Sequence, residues 1–127
     1  MSIAELIDSG LLPPDFKEYI DAGEGVKRVA GNQAIYIRLL KSYLSSPEFE
    51  KLKAQTQSGE IEVAAAIAHG IKGIAGNLSL AKLYEVIVEF EGQLKRGVYE
   101  QDKCDLFFQT DEKTRDYVKI LIEKFEA

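Results

Sequence analysis

From Leu83 the apolar residues fall at Leu83, Ile87, Phe90 and Leu94, spaced four, three and four apart. That is one face of an α-helix, and the same spacing recurs along most of the chain. Nowhere do apolar and polar residues alternate with the period of two that a half-buried strand needs. The chain is therefore expected to be all-α.

The 127 residues suffice for one domain with a substantial core. A second stripe, Tyr36, Leu39, Leu40, Tyr43 and Leu44, marks a helix from about Gln33, with Asn32 as its N-cap. Ser46-Pro47 kinks or restarts that helix, with Ser46 as N-cap and Pro47 as first helical residue. Phe49 and Leu52 continue its core face. Ser58-Gly59-Glu60 reads as a turn, and a helix follows from about Glu60 to Leu78. Residues 77–80 form a bend. The helix carrying Leu83 ends at Arg96-Gly97, a cationic last turn before a capping glycine. Asp102 opens the last helix, with Phe107, Tyr117, Ile120, Leu121 and Phe125 facing inward. Residues 1–23 read as two short helical pieces around Gly10–Phe16, and a further short helix spans Glu24 to Ala30. Four substantial helices with short connections predict an antiparallel up-down four-helix bundle over residues 22–127, with residues 1–21 as a short N-terminal helical cap.

Composition excludes several functions. Apolar residues make up 46% and charged residues 29%, as in a globular chain. The net charge of −5 leaves no electrostatic footprint for nucleic acid or an anionic membrane. No apolar run is long enough to span a bilayer, and the N-terminus lacks the pattern of a secretory signal. The single cysteine, Cys104, cannot form an internal disulfide. It stands near Leu106, Phe107 and Phe108 and is expected to be buried. One histidine and one cysteine do not supply a metal-ligand set. A cytoplasmic location and a monomeric state are the resulting expectations.

One segment breaks the helical economy. Residues 68–78, AHGIKGIAGNL, place three glycines, Gly70, Gly73 and Gly76, around the only histidine, His69. Each mid-helix glycine costs about 1 kcal/mol relative to alanine. On a helical wheel Val63, Ile67, Ile71, Ile74 and Leu78 form the core face, flanked by Ala64 and Ala75. His69 points the other way, among Glu62, Ala65, Ala66, Lys72, Gly73 and Gly76. Gly70 lies to one side, where it could admit a neighbouring helix. The reference pKa of histidine, about 6.5, leaves much of an exposed imidazole neutral and nucleophilic at cellular pH. Lys72 could neutralise an anionic group carried on that ring. The residue pattern suits a nucleophile visited by another macromolecule.

The stretch from Ala68 to Glu91, AHGIKGIAGNLSLAKLYEVIVEFE, resembles the signature of the histidine-containing phosphotransfer (HPt) domain of bacterial two-component phosphorelays. That signature has a histidine, a lysine three residues on, a glycine next, a small residue at the seventh position and an Asn-Leu-Gly-like bend into a Leu-rich helix. Here these are His69, Lys72, Gly73, Gly76 and Asn77-Leu78, followed by Leu80, Leu83 and Phe90. Upstream, Gly25–Leu44 is similar to the family's first helix, turn and second helix, so about residues 22–125 fit. Ser79 departs from the family's usual glycine and Ile74 from its usual small residue.

The resemblance implies that His69 accepts a phosphoryl group on Nε2 from a receiver-domain aspartyl phosphate and passes it to another receiver aspartate. Lys72 would stabilise the transferring group. Gly73 and Gly76, with Glu62, Ala65 and Ala66, would form the docking surface. The partners implied are response-regulator receiver domains or a hybrid sensor kinase. The chain itself would bind no cofactor, and Mg²⁺ would sit in the receiver's acidic pocket. No Gly-rich nucleotide loop is present, and no acidic residue adjoins the histidine as in dimerising sensor-kinase helices, so the chain is not expected to phosphorylate itself or to act as an autonomous enzyme. The alternative is a non-catalytic HPt-like module that docks on a receiver or kinase and regulates it. A third reading, a piece of a larger hybrid or chemotaxis kinase, is weaker, since Met1 and the N-terminal segment favour a stand-alone protein.

Overall fold

A computed structural model describes residues 1–127, and the chain is all-helical. Eight α-helical segments follow in order. They are α1 (Ile3–Asp8), α2 (Phe16–Tyr19), α3 (Ala22–Arg28), α4 (Gln33–Ser45), α5 (Glu48–Gln57), α6 (Ile61–Asn77), α7 (Ala81–Lys95) and α8 (Gln101–Glu126). No helix is long and apolar enough to cross a membrane.

The boundaries follow local chemistry. Ser2 and Glu5 form a reciprocal capping box at α1. The Asn32 side chain caps α4 by accepting the Ile35 N–H. Pro47 lacks an N–H to continue α4, and the chain restarts there: Pro47 has helical dihedrals, and Ser46 Oγ accepts the Glu48 N–H at 3.4 Å. The last helix begins at Gln101, one residue before Asp102, and Asp102 does not cap it.

α6 packs along both α5 and α7, and α7 along α8. Each pair is joined by only a few residues, so consecutive members run antiparallel. Twenty-five buried apolar residues form one cluster, threaded by the stacked rings of Phe49, Phe107 and Phe90 at centroid spacings of 6.1 Å. Cys104 is buried within it. The N-terminal segment contributes Ile3, Leu6, Phe16 and Ile20 to the same cluster. Asp15 fastens that segment to α8 by accepting hydrogen bonds from Lys113, at 2.9 Å, and from the Tyr117 hydroxyl.

The inward faces differ from the wheel in particulars. In α4 Ile37 is buried, while Leu39 is exposed and Leu44 half-buried. In α8 the buried positions are Cys104, Phe107, Thr110, Asp111, Thr114, Val118 and Leu121, with Tyr117, Ile120 and Phe125 half-buried. In α6 the core stripe is Ala64, Ala68, Ile71, Ala75 and Leu78. Ile67 and Ile74 lie at its edge, and Val63 is 46% exposed. The stripe is turned by roughly 60° from the expected one, at 100° per residue. The reason is packing. α6 is flanked by α5 and α7 together, and small alanines on its inner side let two neighbours approach closely.

The bend between α6 and α7 is braced from two sides. The Tyr36 hydroxyl donates to the Leu78 carbonyl at 2.8 Å, and the Asp21 N–H donates to the Ser79 carbonyl at 2.9 Å. Ser79 has φ +55°, the left-handed region that favours glycine.

Candidate functional site

The site grows out of this helical hairpin. His69 lies ten residues before Ser79 and Glu91 twelve after it. At 1.5 Å per residue the two run back to nearly the same height on adjacent helices. Glu91 follows Ile87 by four and precedes Leu94 by three, so its helix turns it inward at the rim of the α7 core stripe. Its side chain is only 3% exposed.

Three nitrogen groups converge on that carboxylate. Lys95, one turn on in α7, places Nζ 2.7 Å from Oε1. The Lys72 ammonium straddles the group, 3.0 Å from Oε2 and 3.3 Å from Oε1, hydrogen-bonding the latter. His69 Nδ1 stands 3.5 Å from Oε2, the buried oxygen that Lys72 also contacts. Burial pushes the Glu91 carboxyl upward, but the hydrogen bonds from Lys95 and Lys72 outweigh it and hold the group below its ordinary value.

The imidazole itself is 65% exposed. Its Nδ1 edge turns toward Glu91, and Nε2, across the ring, makes no protein hydrogen bond. A neutral ring protonated at Nδ1 would direct that proton toward Oε2. Nε2 would then keep its lone pair outward.

Around this centre the expected residues take distinct places. Glu62 and Ala66 are exposed and Ala65 half-buried on the turns before the histidine. Gly73 is bare: a Cβ there would meet nothing within 4 Å. Gly76 is not, since its Cβ would lie 3.2 Å from the Tyr84 ring of α7. Gly70 also faces open space, so it admits no neighbouring helix. A cleft of about 570 Å³ opens beside His69 and Lys72, walled by Tyr84 and by Asp21, Glu24 and Arg28 at the start and along the length of α3. No three histidine, cysteine or carboxylate side chains cluster so as to hold a metal ion.

Wheel reasoning on α6 missed Glu91, Lys95 and the wall from α3. The signal for Glu91 was present: a carboxylate at core spacing within an apolar stripe, with a lysine four residues on. The α3 wall had no such signal, because only tertiary packing brings it to α6. No family model, no curated protein and no solved structure matches the chain.

Proposed function

We propose that the chain is a phosphorelay carrier of the HPt type, in which His69 takes a phosphoryl group from the aspartyl phosphate of one receiver domain and yields it to the aspartate of another. The observation that carries the reading is the pairing of an exposed imidazole, through its Nδ1 edge, with the buried Glu91 carboxylate 3.5 Å away. That arrangement selects one ring nitrogen as anchor and frees the other for attack. In this reading α4 with α5 forms one broken arm, and α6, α7 and α8 complete an antiparallel four-helix bundle.

The chemistry follows from those contacts. The Nε2 lone pair attacks phosphorus in line, an Nε2–P bond forms, and the P–O bond to the receiver's aspartate breaks, leaving that carboxylate with the electron pair. The Nδ1 proton stays on the ring, so the phosphorylated imidazole carries positive charge, and the buried Glu91 carboxylate opposes it at close range. Lys72, 28% exposed and lining the same cleft as His69, would balance the phosphoryl oxygens. Bare Gly73 and the small residues Ala65 and Ala66 leave room for a receiver surface over the ring. The partner would be a free receiver or one within a hybrid sensor kinase, bringing its own Mg²⁺. The carrier would work as a cytoplasmic monomer, with no ATP site of its own.

The test is phosphotransfer from a panel of phosphorylated receiver domains with Mg²⁺, following phosphate on wild type and His69→Gln. Acid-labile, alkali-stable label on the wild type and none on His69→Gln is the expected result. Label retained by His69→Gln would move the site elsewhere. Tight receiver binding that is unchanged in His69→Ala, without transfer, would instead establish a docking module.

A further inference from the structure

Two lysines serve one buried carboxylate, and they are not equivalent. Lys72 sits in the cleft with His69. Lys95 lies outside the cleft, is 54% exposed, and makes the shorter contact, 2.7 Å to Oε1. Both come from the two helices that carry the site, and the titratable groups that converge on Glu91 are His69 and Lys72 from α6 and Lys95 from α7.

A buried carboxylate stripped of its last counter-ion is strongly disfavoured. If Lys72 were the sole partner of Glu91, it could not leave for an incoming phosphoryl group without orphaning that charge. With Lys95 in place it can. We propose, building on the phosphocarrier reading, that the two ammonium groups divide the work. Lys72 hands Glu91 over to Lys95 and swings onto the phosphoryl oxygens, while Lys95 stays as a positioning residue that keeps Glu91 seated against the Nδ1 edge of His69. Lys95 touches neither phosphate nor receiver, and its effect on the chemistry runs entirely through Glu91.

The handover makes an epistatic prediction. The probe is phosphoramidate, a small phosphoryl donor that needs no receiver. Its P–N bond breaks as the Nε2–P bond forms, and ammonia leaves. The readouts are the rate of phosphohistidine formation and its lifetime, followed by ³¹P NMR on the full chain. Lys95→Met slows formation about three- to tenfold, the range of a charge-assisted hydrogen bond with one exposed partner, and Lys95→Arg restores it. In a Glu91→Gln background Lys95→Met becomes silent, because the residue it acts through is gone. Lys72→Met still slows formation there, because Lys72 touches the phosphoryl group itself.

An equal loss from Lys95→Met in the wild-type and Glu91→Gln backgrounds overturns the proposal, as does no loss in the wild-type background. Thermal melts confirm that each variant folds. Should Lys95→Met fail to fold, Lys95→Gln carries the same comparison. Because phosphoramidate bypasses the receiver, the two readings fail separately. Receiver transfer without the Lys95 pattern sinks the handover alone, and the Lys95 pattern without receiver transfer sinks the relay alone.

Discussion

Gly73→Ala separates a structural from a functional reason for the glycines. The position is inside α6, its φ is not positive, and a Cβ there meets nothing within 4 Å. Alanine should therefore gain the full helix-propensity difference, about 1 kcal/mol, part of it from a less flexible unfolded chain. For a chain of this size that raises Tm by roughly 3–6 °C. Gly25→Ala is the opposite control, since its Cβ would run into the buried Tyr36 ring, and overpacking of that kind costs about 1–3 kcal/mol. The assays are thermal and urea unfolding alongside receiver-to-His69 transfer. The stabilised Gly73→Ala protein should transfer more slowly, by about tenfold if its methyl removes ~1.4 kcal/mol of docking. Gly70→Ala, also in open space, should gain similar stability. A lower Tm for Gly73→Ala would mean that this helix face is not open. Higher stability with unchanged transfer would refute the argument that the glycine is kept for a partner's approach.

Ser79→Gly should stabilise by about 0.5–1 kcal/mol, read from urea midpoints, because glycine accepts the φ of +55° without strain and the Ser79 hydroxyl oxygen is buried without a partner. Glu91→Gln should flatten part of the acid-unfolding curve. The Glu91 carboxyl is held below its ordinary 4.5, so its stabilisation is present above that value and lost as pH falls through the lower folded-state value; an unchanged slope would contradict the assignment. Tyr43→Phe should cost about 1.5–3 kcal/mol by urea unfolding, since the Tyr43 hydroxyl donates to the buried Asp111 carboxylate at 2.6 Å.

Much of the architecture was legible because helices announce themselves locally. The Asn32 cap, the restart at Ser46-Pro47, the stripe Leu83–Leu94 and the stop at Gly97 all depend on residues within a turn or two of one another. What failed was the facing of α6. Hydrophobicity ranks Val63 above Ala68, yet Ala68 is fully buried and Val63 is not. A wheel weighs each side chain by its attraction to a core. It takes no account of two neighbouring helices that must come close, and for these a small residue is the better fit. The wheel likewise left Gly70 free to admit a neighbouring helix, whereas it faces open space.

The histidine stood out in the sequence, but the reason its ring turns Nδ1 inward was not legible there. That reason sits on α7, across a three-residue bend, and its geometry is arithmetic: Ser79 is the pivot, and near-equal arms of ten and twelve residues bring His69 beside Glu91. The bend therefore has a task beyond reversing the chain. Its three residues set how far along α6 the α7 helix starts back, and so the height at which Glu91 meets the imidazole. This explains why the bend is held so firmly, by Tyr36 on Leu78 and Asp21 on Ser79, and why a serine is kept in a glycine conformation rather than letting the turn relax. Gly25 belongs to the same device, because only a residue without a Cβ lets the Tyr36 ring lie against α3 and reach the Leu78 carbonyl. Ser79, Tyr36 and Gly25 thus all bear on the register between one histidine and one carboxylate.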